Sequence, residues 1–98
     1  MYEYPNGDIS NGKVLLFFYA GYHSNCNITL QMLDDISKYH PDINLIKINT
    51  TKFYTMKTKY NIKVLPCIIY LKDGNVIDKI SGSITFNLIE KLIKRNVW

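Results

Sequence analysis

The run Lys13–Ala20 (KVLLFFYA) is apolar on both of its alternations once past the lysine. A strand with one wet face alternates apolar and polar side chains, whereas a strand apolar at every position must be covered on both faces. Such a strand needs neighbours on either side and helices above and below, so the chain is directed toward a layered α/β fold. Gly21 through Asn25 break the run, and from Asn27 the period changes. Ile28, Met32, Leu33, Ile36 and Tyr39 fall on one face at helical spacing, with Asp34, Asp35 and Lys38 on the other. Ser24 or Asn25 is the expected cap. Pro41 stops the helix just after His40, whose charged form suits a helix end.

The strand period returns at Ile43–Asn49 (INLIKIN), with Ile43, Leu45 and Lys47 on one side and Ile46 and Ile48 on the other. Thr51–Tyr60 reads as a two-turn helix with Phe53, Met56 and Tyr60 on one face. Lys63–Leu71 holds a second apolar run, CIIYL, after Pro66. Asp73-Gly74 is a hairpin turn that returns the chain as Val76–Ile80, and Gly82 ends that strand. Thr85 caps a last helix, with Leu88, Ile89, Leu92 and Ile93 inward and Glu90, Lys91, Lys94 and Arg95 outward. The order β-α-β-α-β-β-α, with right-handed crossovers followed by a hairpin, predicts a four-stranded mixed sheet with helices on both faces. Residues 1–12 read as an N-terminal arm and 13–98 as one domain.

A chain of 98 residues that is 47% hydrophobic can close one core, and stands outside the disordered class. It holds no apolar run long enough to cross a bilayer, and polar residues 1–12 do not resemble a secretory signal. The net charge of +4 comes from eleven lysines and one arginine against eight acids, with no basic block longer than Lys94–Arg95. Nucleic-acid readers cluster their bases and use arginine on base edges, so neither nucleic acid nor a membrane is the expected partner. Two cysteines, Cys26 and Cys67, make no secreted disulfide framework, and a reducing, cytoplasmic compartment is the default expectation.

The element order, with Pro66 entering the third strand of the core, resembles the thioredoxin family over roughly residues 13–95. Val14–Ala20 followed by Gly21-Tyr22 is similar to the strand and aromatic residue that lead into that family's active-site loop. Lys59–Pro66 (KYNIKVLP) resembles the segment carrying its cis-proline, which implies a cis Leu65–Pro66 bond. Tyr70–Val76 (YLKDGNV) resembles its hairpin, and Gly82 follows Gly74 at the family's spacing. The family's usual additional N-terminal strand and helix do not fit into twelve residues, so the resemblance implies a minimal version of the fold.

The resemblance places Tyr22-His23-Ser24-Asn25-Cys26 on the family's aromatic-Cys-x-x-Cys signature. His23 then stands for the first cysteine, whose thiolate attacks a substrate disulfide, and Cys26 for the second, which resolves the mixed disulfide. Phe17 takes the place of the buried acid that serves the second cysteine. Lys47 stands where the family has that acid's lysine, and must find another anion or extend its head to water. Ser24-Asn25 replaces a Gly-Pro, and Gln31 a helix-kinking proline.

Two functions from different classes remain open. In one, the chain has given up dithiol chemistry and binds a protein or peptide, whose extended backbone pairs with Leu65 in a groove formed by Tyr22, Leu65 and Pro66, with Gly82 and Ser83 on the far rim. In the other, Cys26 acts on a thiol-containing client as a single thiol aided by His23, or cycles with Cys67. A pairing requires Cα atoms within about 7 Å and facing side chains, and strand alternation decides which way Cys67 faces. Neither function calls for a cofactor or a metal: His23, Cys26 and Cys67 are too few for a structural zinc site. A monomer is expected.

Overall fold

The computed structural model describes residues 1–20 and 24–96, and of residues 24–26 the backbone. In chain order the elements are β1 (Tyr2–Glu3), β2 (Lys13–Tyr19), α1 (Ser24–Tyr39), β3 (Ile43–Asn49), α2 (Tyr54–Lys59), β4 (Cys67–Lys72), β5 (Asn75–Ser81) and α3 (Phe86–Lys94). One sheet runs in the order β1-β3-β2-β4-β5. β1, β3 and β2 are mutually parallel, and β4 and β5 are antiparallel to their neighbours.

The sheet therefore has five strands where the sequence predicts four. The additional strand is the arm, whose Tyr2 and Glu3 pair with Ile46 and Lys47. The Tyr4 N–H extends this by donating to the Lys47 carbonyl at 2.8 Å. Without the arm, β3 would present its backbone groups as an open edge. The side chains reinforce the pairing, because Glu3 Oε2 lies 3.5 Å from Lys47 Nζ and Tyr19 donates its hydroxyl to Glu3 Oε1 at 3.3 Å. Lys47 thus finds its anion on the arm.

Val14 through Phe18 are all buried, as the doubly apolar run requires. Alternation divides them between two cores. Leu15 and Phe17 join Leu33 and Ile36 of α1 and Ile89, Leu92 and Ile93 of α3 on one face. Val14, Leu16 and Phe18 join Met56 of α2, with Tyr4 and Ile9 of the arm packed against them, on the other. The Tyr4 ring meets Phe53 edge-on at 5.0 Å.

Three local expectations need correction. The inward face of α1 is Thr29, Leu33 and Ile36, while Ile28 and Tyr39 are 54% and 71% exposed. Ser24 and Asn25 lie within the first turn of α1 and do not precede it as caps. Leu88 is exposed, so α3 buries only Ile89, Leu92 and Ile93.

At the hairpin, Asp73 and Gly74 both take positive φ, 50° and 84°, the requirement of a two-residue turn that matches strand twist. Thr85 caps α3 by accepting the Leu88 N–H at 3.2 Å. The far end of α3 is tied to β5 through Asp78, which accepts from Arg95 Nε at 2.6 Å and Asn96 Nδ2 at 2.9 Å. The Arg95 guanidinium holds that carboxyl below the usual carboxylate range. His40, just past α1, lies 3.1 Å from Glu90 of α3, a link between the two helices that spacing did not reveal.

Candidate functional site

α1 starts from the carboxyl end of β2, and β4 enters the sheet beside β2 at that same end. Ligand crevices in open α/β sheets form at the carboxyl ends of the parallel strands. A cleft of about 140 Å³ lies there, lined by Ile28 and Thr29 of α1, Pro66, and Gly82, Ser83 and Ile84. Of the residues assigned to a groove from the sequence, it brings together Pro66, Gly82 and Ser83.

The local backbone explains this geometry. The Leu65–Pro66 bond is cis, as is Tyr4–Pro5. The Pro66 carbonyl accepts from the Gly82 N–H at 3.0 Å, which joins the two walls of the cleft. Gly82 has φ of 86°, a conformation in which a residue with a Cβ is strained, so glycine suits this turn out of β5. Leu65 is half-buried and packs toward the α2 face. Among the described residues, neither its N–H nor its C=O has a backbone partner.

Ile28, Thr29 and Ile84 are groove residues that sequence reasoning missed. Ile28 shares the helical period of Leu33 and Ile36, and by that period alone it counts with the core. Its position two residues after Cys26 is the signal that could have placed it at the cleft.

Tyr22 and His23 lie outside the described residues. Cys26 is placed by its backbone alone, as the third residue of α1. Cys67 is fully described. It is wholly buried in the core that α2 covers, whereas α1 packs its inward side chains on the opposite face of the sheet. Strand alternation accounts for this: Pro66 lines the cleft, and the next residue turns away from it. Cys67 is a free thiol, and burial pushes its pKa up to about 11. At pH 8 only about one such thiol in a thousand is ionised, and the thiolate is the reacting species. Alkylation of Cys67 by iodoacetamide should therefore be about a hundredfold or more slower in the native protein than in urea. Site-resolved mass spectrometry over time measures both rates, and similar rates would show that β4 opens readily.

Among the described residues, no group of three or more histidines, cysteines or carboxylates is placed to hold a metal ion. None of the described helices is long and apolar enough to cross a membrane.

The chain matches the family model Thioredoxin over residues 6–95. It is 34% identical over 85 residues to the chloroplastic Thioredoxin Y2 of Arabidopsis thaliana, an alignment covering 85% of this chain and 51% of that protein. The chain thus spans about half the length of this plant relative. A thioredoxin of Mycoplasmoides gallisepticum is 27% identical, with 87% of this chain and 85% of that one covered. Among solved structures, the oxidised mitochondrial Thioredoxin 3 of Saccharomyces cerevisiae superposes with a TM-score of 0.82 at 26% identity, covering 89% of this chain and 82% of the other.

Proposed function

Because the chain belongs to the thioredoxin family, we propose that it works as a protein- or peptide-binding module, holding an extended segment in the groove beside Pro66, and not as a dithiol oxidoreductase. The observation that carries this reading is the cleft formed by Ile28, Thr29, Pro66 and Gly82–Ile84, adjoining a Leu65 backbone that has no partner among the described residues. An extended peptide satisfies such a backbone by strand-like pairing, and the cleft accepts one of its side chains. The sequence HSNC supports the same reading, since it has one cysteine where a dithiol loop has two. In this reading residues 1–12 are an arm, residues 13–98 form the working domain, and the protein acts as a monomer in a reducing compartment.

The alternative, exchange chemistry at Cys26 alone or with Cys67, draws less support. Cys67 faces the wrong side of the sheet for a partner on α1 and stays protonated at neutral pH.

An arrayed library of extended peptides tests the proposal. Peptides that bind should lose affinity by about tenfold or more when Ser83→Trp fills the cleft or Ile28→Glu charges its wall. Leu88→Glu, on the exposed face of α3, should leave affinity unchanged. If no peptide is retained, or if the cleft substitutions have no effect, the groove is not the working surface.

A further inference from the structure

The charge of this molecule is unevenly distributed. From Ile43 to Lys72 there are six lysines and no carboxylate, while the rest of the chain carries eight acids against six bases. The whole net positive charge therefore resides in that segment, which includes α2 and the loop that follows it. Lys47 is matched by Glu3. Among the described residues, Lys52, Lys57, Lys59 and Lys63 meet no carboxylate within 4.0 Å.

Packing determines where these charges stand. Lys52 and Lys59 hold their ammonium nitrogens over the rings of Phe53 and Tyr60, at 5.4 and 5.5 Å from the ring centres, and both residues are exposed. A second cleft, of about 130 Å³, opens on this face between Asn61, Lys63, Val64, Lys79 and Ser81, with buried Cys67 as its floor. Among the described residues, the Lys79 ammonium reaches only the Asn61 carbonyl, at 3.5 Å. The neighbouring carboxylate, Asp78, takes its ion pair with Arg95 just after α3, and among the described residues Lys79 meets no carboxylate within 4.0 Å.

We propose that this α2 face, Lys52, Lys57 and Lys59 together with the Lys63/Lys79 cleft, is a docking surface for an acidic segment of a partner protein. The cleft is lined by two lysines, an asparagine and a serine, residue types whose side chains donate hydrogen bonds to a carboxylate. The remaining lysines offer point charges that accept carboxylates at many angles. Tyr54 and Val64, both more than half exposed, supply apolar contact at its margin. A nucleic-acid surface would be expected to present arginine, and the one arginine, Arg95, is engaged with Asp78. The lining of this cleft shares no residue with that of the Pro66 cleft, and the proposal rests on the lysines and not on what the Pro66 cleft binds.

Fluorescence polarisation with a short labelled peptide of alternating Glu and Ser residues tests it, using the whole chain. The native protein should bind the peptide, and affinity should fall by about tenfold or more between about 20 and about 200 mM salt, as unburied charges are screened. Lys63→Glu with Lys79→Glu, and separately Lys57→Glu with Lys59→Glu, should each abolish measurable binding. Lys91→Glu with Lys94→Glu on α3 changes the net charge equally and should retain it. Lys63→Ala with Lys79→Ala covers the case in which the reversals fail to fold, and should weaken binding by about tenfold. Equal losses in the α2 and α3 pairs would overturn the proposal, as would absence of binding at low salt. Tighter binding of an oligonucleotide of the same charge would also overturn it.

Discussion

Phe17→Asp should destabilise the protein severely, although it introduces the residue type that the family resemblance implies for this position. Phe17 is 1% exposed, in the core between the sheet, α1 and α3. Removing a buried phenylalanine to alanine costs about 3–5 kcal/mol, and an aspartate adds the cost of a carboxylate in an apolar site. Each kcal/mol shifts the melting temperature of a domain this size by about 4–8 °C, so a loss of about 15 °C or more is expected at pH 7. Phe17→Leu should cost about 1–2 kcal/mol, since it keeps most of the volume. The deficit of the aspartate variant should shrink as the pH falls. Burial raises its folded pKa, so the native state holds the proton more tightly than the unfolded chain, and stability declines as pH rises between the two values. Thermal melts at pH 5 and pH 7 decide it. A near-native melt at pH 7 would show that Lys47 leaves Glu3 to neutralise the new acid.

The second large effect concerns disulfide chemistry. In a dithiothreitol-driven turbidity assay the native protein should not speed insulin reduction above the rate of dithiothreitol alone, because His23 cannot form a mixed disulfide. His23→Cys should create a dithiol loop and raise the rate by about tenfold or more. The gain should remain partial, because Phe17 offers no proton acceptor. Efficient turnover by the native protein, lost in Cys26→Ser, would refute the binding-module reading.

Much of this architecture is legible in the residues. The doubly apolar β2, the Asp73-Gly74 turn and the Thr85 cap are local signals, and each is reproduced where the sequence places it. The misses are nonlocal. Ile28 and Tyr39 share a helical period with Leu33 and Ile36, but period shows which side of a helix is apolar and not how far the sheet extends beneath it. At one end the sheet gives way to the cleft, and Ile28 becomes its wall. β1 is two residues long, too short to show an alternation, and its partner Lys47 is far along the chain. The facing of Cys67, left open by the sequence, is settled locally: Pro66 lines the cleft, and alternation turns Cys67 toward α2.

Glu3 sits in the arm, and the contacts of Tyr2, Glu3 and Tyr4 lie on β3, on Tyr19 of β2 and on Phe53 just before α2. A chain grows from its amino end, so during synthesis these residues exist long before Ile46 and Lys47 do. They have no surface to dock on until β2 and β3 have paired. The arm is thus made early and seated late, acting as a latch that closes on an assembled sheet. Contacts that form only after β2 and β3 have paired are expected, when lost, to speed unfolding more than they slow folding.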